Sequence, residues 1–481
     1  MAKLLFIQDI QYEYLGPIYI SAMLKKAGHD CKIVIGKSFL NFKAIIEDYS
    51  PDVVGFSIMS GSAAWANEMG LQIKNKYGLP TIFGGVHPTF YPEYIKNEGV
   101  DMLVRGEGED AALEVMNCIE DRKDFGGIGN IIYKKNGVVI ENKIRDLQQD
   151  LDVYPFPDRK LYEVELKKHN IDLSIRNVIT SRGCPFSCSF CQEITMREIY
   201  KGKGSYLRTR KIDKIVQELE LLKNTTATQS LYFVDDIFGL DYKWLNDFLF
   251  IYKRRVGLEF SCMVRADAVK KYKDYARLLK DSGCRMVAFG VESGNERIRN
   301  ELLRKKISNE DISVAASMFH NAGIKFRAFN ILGLPSETLE DAYETVQLNI
   351  DIKTDYPWCA IYLPLKDTEL TNYALNEKIL AQDYFSNINK RSFFSDASPI
   401  KTKDIKRIVN LQRFFQTVVL WPKTFPLVKL LIKLPPNPFF DLWFGFIFYI
   451  VYTKSEGRNW WKTFLFALKN RSLKNKDKDE K

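Results

Sequence analysis

Short apolar runs and segments of helical period alternate along the first 125 residues. Runs such as KLLFI and DVVGFSI are typical of buried strands, and the segment that ends at Tyr77 repeats its apolar positions every three to four residues. Strands that alternate with helices predict a doubly wound, Rossmann-like parallel sheet. Because such sheets bind ligands beyond the carboxyl ends of their strands, we expect a binding face in the loops after residues 10, 59, 83 and 104.

The same alternation continues from residue 171 to residue 370. Six strand-helix units there predict an α/β core in the form of a partial (β/α)6 barrel, with its site at the carboxyl ends of the strands. Between the two regions, Pro155 and Pro157 indicate an irregular connector. The predicted organisation is a first domain at 1-125, a linker at 126-170, the barrel at 171-370 and a mainly helical region at 371-481.

The net charge of +10 is confined to the end of the chain. Residues 385-481 carry 19 Lys and Arg against 7 Asp and Glu, a net of +12, which leaves −2 for the rest. Since this basic stretch is rich in aromatic residues and contains no recognisable RNA module, we expect no nucleic-acid partner. Eight scattered cysteines and an N-terminus that is typical of a first strand predict a reducing, cytoplasmic location.

Three cysteines form the strongest chemical signal. Cys184, Cys188 and Cys191 are spaced C-x3-C-x2-C in a loop that follows the apolar run NVIT. Thiolates favour zinc or iron-sulfur clusters, and a zinc site would need a fourth cysteine or histidine close by. His169 and Cys262 are the nearest candidates and are distant in sequence. The spacing therefore predicts a 4Fe-4S cluster with one iron left open.

With Phe190 just before the last cysteine, this loop resembles the signature of the radical S-adenosylmethionine (SAM) enzymes. The resemblance implies that the open iron binds SAM, and that reductive cleavage of SAM gives a 5'-deoxyadenosyl radical which abstracts hydrogen from carbon. It also implies roles for polar residues at the strand ends. Asp235 or Asp236 stands where other members carry Gly-Gly-Glu at the SAM ammonium, Arg265 lies near the carboxylate, and Glu292 lies at the ribose. Ser293 and Gly333 complete the expected SAM contacts with Phe190.

The N-terminal loops GGVHPTFYPE and VRGEGE resemble the cobalamin-binding domain that precedes the barrel in one large radical SAM subclass. One departure is clear: the D-x-H-x-x-G motif of other cobalamin domains is replaced by Asp9-Ile10-Gln11-Tyr12-Glu13-Tyr14. The resemblance therefore implies a cobalt without a protein imidazole, or one approached by Gln11, and His87 is expected to pack beside the ligand. The residues expected at cobalamin are Gln11, Ser57, Ser60, Gly84, Gly85, His87, Glu107 and Gly108.

Together these features resemble the class B radical SAM methyltransferases. The resemblance implies methyl transfer to an unactivated carbon and an external one-electron reductant similar to flavodoxin or ferredoxin. Two alternatives stay open: a cyclase or carbon-carbon bond-forming enzyme without net methyl transfer, and a non-catalytic cobalamin or redox sensor. The leading function needs no strong acid-base pair, which agrees with a chain of only four histidines.

The basic tail contains the run LWFGFIFYIVY at residues 442-452. Eleven uncharged residues are too few to cross a bilayer, which takes about 20. The flanking segments mix Lys and Arg with aromatic residues, as interfacial segments do, and so predict peripheral contact with the inner face of a membrane and a lipid or other apolar substrate. The alternative is that this run is a buried helix that closes the barrel.

Overall fold

The computed structural model describes residues 1-385 and 398-457. These residues form two compact units. The first unit holds residues 1-185, 192-228 and 383-385, and the second holds residues 186-191, 229-382 and 398-457. The predicted domain bounds at 125, 170 and 370 stay predictions, since compact units and domains need not coincide. Much of the segment from 171 to 228, which was predicted to belong to the barrel, lies in the first unit.

A seven-stranded sheet forms the centre of the first unit. Its strands are β1 (Lys3–Gln8), β2 (Asp30–Ile35), β3 (Val53–Ser57), β4 (Thr81–Gly84), β5 (Met102–Val104), β6 (Ile131–Lys135) and β7 (Val138–Glu141). Their order is β2-β1-β3-β4-β5-β6-β7; β1 to β5 pair in parallel, and β6 and β7 add an antiparallel hairpin. The order 2-1-3-4-5 places a topological switch point, where ligands bind, at the carboxyl ends of β1 and β3.

Helices cover both faces of this sheet, because its parallel strands are apolar on both sides. Residues of α1 (Leu15–Lys26) and α5 (Glu109–Asp121) pack in the core of one face, and residues of α2 (Leu40–Tyr49) and α3 (Ala63–Tyr77) pack in the core of the other. The helices are α1 (Leu15–Lys26), α2 (Leu40–Tyr49), α3 (Ala63–Tyr77), α4 (Val86–Phe90), α5 (Glu109–Asp121), α6 (Lys160–Lys168), α7 (Gln192–Ile199) and α8 (Ile212–Thr225). Three short strands, β8 (Ile175–Val178), β9 (Ser181–Arg182) and β10 (Arg208–Thr209), complete the unit.

The second unit repeats a strand-helix alternation. Its parallel strands are β11 (Ser230–Phe233), β12 (Glu259–Met263), β13 (Cys284–Glu292), β14 (Lys325–Leu332) and β15 (Tyr356–Ile361), each paired with the next. The helices between and after them are α9 (Tyr242–Arg255), α10 (Ala266–Lys271), α11 (Tyr275–Asp281), α12 (Asn309–Asn321), α13 (Leu339–Asp351) and α14 (Glu369–Asn376). The predicted fold class, a Rossmann-like domain with a TIM-like partial barrel, is confirmed.

The tail is helical, as predicted, and belongs to the second unit. It forms α15 (Ile405–Leu420), α16 (Phe425–Leu431) and α17 (Pro438–Glu456). Residues 408-419 of α15 are all buried, and this helix packs in one apolar core with α13 and β15. The run 442-452 lies in α17, where Ile447 and Val451 are buried and Leu442 and Phe446 are exposed. Among the helices of the described residues, none is long and apolar enough to cross a membrane.

A buried ion network crosses the first unit. The carboxylate of Glu13, in the loop after β1, accepts hydrogen bonds from Arg159 at 3.2 Å and from Arg176 at 2.9 Å. Arg159 also lies 3.6 Å from Glu218, which pairs with Arg210 at 2.7 Å. All five side chains are at least nine-tenths buried. The network therefore joins four segments that are far apart in sequence.

We expect the substitution Glu13→Gln to lower the free energy of unfolding by about 3–5 kcal/mol, because it leaves two buried guanidinium groups without their shared counter-charge. Urea unfolding of the full chain measures this loss. The control is Glu163→Gln, which breaks an i,i+4 pair with the exposed Lys167 and should cost about 0.5 kcal/mol or less. Equal losses of unfolding free energy in the two variants would contradict the prediction that the buried network stabilises the first unit more than an exposed ion pair does.

Candidate functional site

An apolar slot lies along one face of the first sheet and reaches its carboxyl edge. The cavity has a volume of about 130 Å³ and lies among side chains of β1, β3 and β4, such as Phe6, Phe56 and Ile82. Its other walls come from helices α1 and α5 and from the loops predicted to bind a ligand. Glycines in those walls are Gly16, Gly84, Gly85, Gly106 and Gly108, and Ser57 lies beside them.

The glycines of the slot include two that no other residue could replace without strain. Gly85 has a φ of +98°, and an added Cβ would lie 2.8 Å from the carbonyl oxygen of Ile58. Gly106 has a φ of +73°, and an added Cβ would overlap the hydroxyl of Tyr200. The slot is apolar, and its glycines let a ligand approach the backbone closely, so it fits an apolar part of a ligand such as cobalamin.

The two histidines near this edge are held by neighbouring side chains. His87 is buried, stacks on Tyr91 at 4.6 Å between ring centroids, and has its Nδ1 3.0 Å from the hydroxyl of Ser60. This environment agrees with the packing role expected for His87. The amide of Gln11 lies 2.9 Å from Nδ1 of His169, at the end of α6. The linker therefore brings to Gln11 a histidine that the sequence motif of the first loop lacks.

The structure gives Glu107 a salt-bridge role. Its carboxylate accepts two hydrogen bonds from Arg208, at 2.6 and 3.0 Å, and lies 3.2 Å from Arg182. Burial opposes the charged form, but these arginines outweigh it and lower the pKa of Glu107 below its ordinary value. The hydroxyl of Tyr200 accepts a hydrogen bond from the Glu107 amide at 2.8 Å. If Glu107 contacts cobalamin, it does so with a carboxylate that already binds Arg208 and Arg182.

In the second unit, backbone contacts fix the segment that carries Cys188 and Cys191. The amide of Cys191 donates to the carbonyl of Cys188 at 3.0 Å, which closes a tight turn. Ser189 donates from its amide to Leu303 at 3.0 Å and from its hydroxyl to Leu302 at 2.5 Å. These acceptors lie at the end of a π-helical turn, Ile298–Leu302. The turn thus holds the cysteine loop from one side.

A buried group of charges lies close to Cys188. Glu292 ends β13 with a φ of +61° and pairs with Nζ of Lys305 at 2.5 Å. Arg265 donates to the Lys305 carbonyl at 3.1 Å and to Asp267 at 3.0 Å. Burial raises the pKa of the Cys188 thiol above its ordinary value, while the Lys305 and Arg265 cations act in the opposite direction.

Arg265 also lies over an aromatic ring of the cysteine segment. Its guanidinium carbon is 3.5 Å from the centroid of the Phe186 ring. Cations stack on aromatic faces in this way with a gain of about 0.5–2 kcal/mol. The end of β12, which carries Arg265, and the cysteine segment are thus in direct contact.

The other predicted strand-end residues differ in their surroundings. Asp235, at the end of β11, is fully buried, whereas Asp236 is exposed, so the structure separates two residues that the sequence left equivalent. Ser293 is buried, and its hydroxyl accepts the amide of Asn295 at 3.3 Å, as a serine does in a turn. Gly333 has a φ of +75° and donates its amide to Glu337 at 2.5 Å.

Glu337 is one of three residues, with Asp267 and Ser293, that occupy structural positions at these strand ends. Burial raises the pKa of Glu337 to about 8, although the amides of Gly333 and Leu334 donate to its carboxylate. This carboxyl therefore supports the loop after β14 from inside the core.

The cysteines of the motif differ from most others in exposure. Cys184, Cys188 and Cys191 are partly exposed, whereas Cys31, Cys262, Cys284 and Cys359 are buried. Within residues 1-385 and 398-457, no three His, Cys, Asp or Glu side chains are placed to hold a single metal ion. A cluster has a different requirement, because its irons share the thiolates among them. Three accessible thiols in one short loop fit that donor set.

Comparison with known families identifies both halves of this arrangement. Residues 11–116 match the B12 binding domain, and residues 178–348 match the Radical SAM superfamily. The first match covers β1 to β5 with their loops, and the second contains the cysteine loop and β11 to β14. The chain therefore carries a cobalamin-binding domain and a radical SAM domain, the two domains of a radical SAM enzyme that depends on cobalamin.

Several characterised or named proteins are similar over most of the chain. An uncharacterized methyltransferase of Pyrococcus horikoshii is 29% identical over 76% of this chain and 79% of its own. An anaerobic magnesium-protoporphyrin IX monomethyl ester cyclase of Rubrivivax gelatinosus is 26% identical over 77% and 65%. A hopanoid C-3 methylase of Methylococcus capsulatus is 23% identical over 72% and 68%.

A solved structure supports the fold. OxsB, a cobalamin-dependent SAM radical enzyme with aqua-cobalamin bound, matches 97% of this chain and 72% of its own with a TM-score of 0.69 at 17% identity. The family and the fold define the cofactors of the enzyme: a 4Fe-4S cluster, SAM and cobalamin. The slot in the first unit and the cysteine loop offer chemistry that fits them.

Lys305 is a residue that sequence analysis missed, and its substitution tests the charged group. We expect Lys305→Met to weaken SAM binding by about 10- to 100-fold, since loss of a charge-assisted contact costs about 1.5–3 kcal/mol and leaves buried Glu292 without its partner. Equilibrium dialysis of SAM with the cluster-containing protein measures this change. Lys306→Met is the matched control, because Lys306 is adjacent and exposed. An unchanged dissociation constant for Lys305→Met would exclude a role at SAM.

Proposed function

We propose that this enzyme methylates an unactivated carbon of its substrate. The observation that carries the proposal is the presence, in one chain, of a glycine-lined slot in a cobalamin-binding domain and a radical SAM core. When bound, the cluster supplies the electron that cleaves SAM, and cobalamin carries the methyl group. The described residues around the charged group bind and orient, which agrees with a chain of four histidines.

The proposed roles follow the geometry of each unit. Cys184, Cys188 and Cys191 hold the cluster. Asp235 is favoured over Asp236 at the SAM ammonium because Asp235 is buried. Arg265 and Lys305 supply positive charge for the SAM carboxylate, and Glu292 accepts from the ribose. Phe190, Ser293 and Gly333 shape the pocket, and Gln11, Ser57, Ser60, Gly84, Gly85, His87, Glu107 and Gly108 surround cobalamin.

Mass balance separates methyl transfer from the alternatives. Adding one methyl group consumes one SAM as methyl donor, released as S-adenosylhomocysteine, and a second SAM as hydrogen acceptor, released as methionine and 5'-deoxyadenosine. The reductant supplies the electrons that cleave the second SAM and restore cobalamin. A cyclase, the activity that one relative's name gives, would release 5'-deoxyadenosine without stoichiometric S-adenosylhomocysteine, and a sensor would release neither.

The test is an anaerobic incubation of reconstituted enzyme with trideuteromethyl-SAM, a low-potential reductant and a lipid extract of its host cell. We expect a lipid product with one trideuterated methyl group, and S-adenosylhomocysteine and 5'-deoxyadenosine that accumulate in about equal amounts. Mass spectrometry detects both. Release of 5'-deoxyadenosine without methylated product would favour the cyclase alternative.

Variants of the cysteines serve as controls for that experiment. Cys184→Ala, Cys188→Ala and Cys191→Ala should each lose the cluster iron and all release of 5'-deoxyadenosine. Cys262→Ala and Cys284→Ala, at buried positions outside the loop, should keep both. Full turnover by any of the three loop variants would remove the cluster assignment.

The cobalt is expected to lack a protein imidazole, since Gln11 replaces the histidine of the motif. The cob(II)alamin form should therefore show no nitrogen splitting from histidine in electron paramagnetic resonance, and His169→Phe should leave the spectrum unchanged. His169 is the control because it is the histidine that contacts Gln11. Splitting that disappears in His169→Phe would contradict the prediction and make His169 the ligand.

We further propose that the substrate is a lipid or other apolar small molecule, and that the enzyme is cytoplasmic and attaches peripherally to the inner face of the membrane. Support comes from the net charge of +12 in residues 385-481 and from the hopanoid methylase among the relatives. An external carrier similar to flavodoxin or ferredoxin would deliver the electrons. The location has its own test, which concerns the surface of the tail.

A further inference from the structure

The helical tail presents two apolar stripes outward. Leu427 and Leu430 lie on α16 at i and i+3, and Leu434 lies three residues beyond its end; on α17, Phe439, Leu442 and Phe446 recur at i, i+3 and i+7. Residues with this spacing share one face of a helix. All six side chains are 51–65% exposed. We call these two faces, together with Trp421, the tail stripes.

This exposure is concentrated in a short part of the chain. The tail stripes supply seven of the 20 exposed large hydrophobic side chains found in the described residues, within positions 421-446. Single exposed apolar residues are common on protein surfaces, whereas groups of them mark interaction sites. The tail stripes therefore form a candidate interaction surface.

The stripes belong to rigid structure, because the opposite faces of the same helices are buried. Val428 and Ile432 pack inward beside α16, and Phe440 packs inward from α17 in the core shared with α13, α15 and β15. Asn410 of buried α15 donates to the carbonyls of Ile432 and Leu434 at 3.2 and 2.8 Å. The helices thus hold their outer faces in place.

Charge indicates which occupant fits. Residues 421-446, which carry the stripes, contain Lys423, Lys429 and Lys433, and their one acidic residue, Asp441, accepts from Arg413 at 2.7 Å. A second copy of the chain would bring three further lysines against these three, which like-charge repulsion disfavours. A bilayer with anionic headgroups instead accepts apolar side chains beside lysines, as interfacial helices do.

We propose that the tail stripes insert into the headgroup region of an anionic bilayer and attach the second unit to the membrane surface. The choice of a bilayer rests on the lysines beside the stripes, and the inference specifies the membrane attachment of the proposed function. Helices α16 and α17 would lie in the interface, and the three lysines would contact lipid phosphates. Since none of the described helices could cross a membrane, this attachment is peripheral.

The test is flotation of the full chain with vesicles of phosphatidylglycerol and phosphatidylcholine, compared with vesicles of phosphatidylcholine alone. Point substitutions are needed, because removing residues after 400 would also remove α15 from the core. We expect Phe446→Glu to reduce binding to anionic vesicles at least tenfold. Phe250→Glu on α9 is the matched control, since both phenylalanines are 57% exposed, and it should bind as the wild type does.

The lysines give a second, independent variant. The triple substitution of Lys423, Lys429 and Lys433 to Gln should weaken binding to anionic vesicles about 100-fold at low salt, from about 1 kcal/mol for each charge. Phe446→Ala tests the apolar contact with a milder change if Phe446→Glu unfolds. Equal binding by wild type and all variants, or no binding by the wild type, would overturn the proposal. A dimer of the wild type that Phe446→Glu dissociates would assign the stripes to a second copy and overturn it too.

Release of 5'-deoxyadenosine, measured in the same preparations without vesicles, separates this inference from the proposed function. A wild type that floats with anionic vesicles but cleaves no SAM would leave the surface assignment intact and remove the enzymatic proposal. Cleavage of SAM by a wild type that does not float with anionic vesicles would remove the surface assignment and leave the enzymatic proposal intact. Phe446→Glu should cleave SAM at the wild-type rate, because Phe446 is outside the charged group around Cys188.

Discussion

Glu13 is a buried carboxylate shared by two buried arginines, and the first unit depends on this arrangement. Its partners come from the linker (Arg159) and from β8 (Arg176), more than 140 positions further along the chain. A buried charge without its partner is far more costly than a buried pair. The loop after β1 can therefore adopt its place only when the linker and β8 adopt theirs, which ties the geometry of the predicted cobalamin face to distant sequence.

This network also ties residues 192-228 to the first unit. Sequence periodicity predicts strands and helices from neighbouring residues, and it predicted the alternation, the doubly wound sheet and the helical tail correctly. It carries no information on which element a buried Glu will meet. Residues 192-228 have the pattern of a barrel unit, yet Glu218 of α8 pairs with Arg210 and lies near Arg159 of the linker. Such long-range ion pairs are contacts that sequence periodicity does not predict.

The site shows the same contrast between local and distant information. Cys184, Cys188, Cys191 and the glycines of the first unit could be found because spacing and φ requirements are local properties. Lys305 could not, since it lies in the charged segment LLRKK, which is typical of a solvated helix face. Its neighbour Lys306 is indeed exposed. The turn that follows the π-helical residues directs Lys305 inward to Glu292. The contact between His169 and Gln11 likewise depends on the tertiary fold and has no sequence motif.

The polar strand ends illustrate how one position can serve structure and chemistry. Asp267, Ser293 and Glu337 each hold backbone or an arginine, as caps and ion pairs do, whereas Glu292 bends into the left-handed region to meet Lys305. That conformation is unfavourable for a residue with a side chain, by about 1–3 kcal/mol, and persists only where its surroundings fix it. Of these strand-end residues, Glu292 is therefore the one whose unfavourable backbone conformation the fold has to hold in place, and its buried partner Lys305 contributes to holding it.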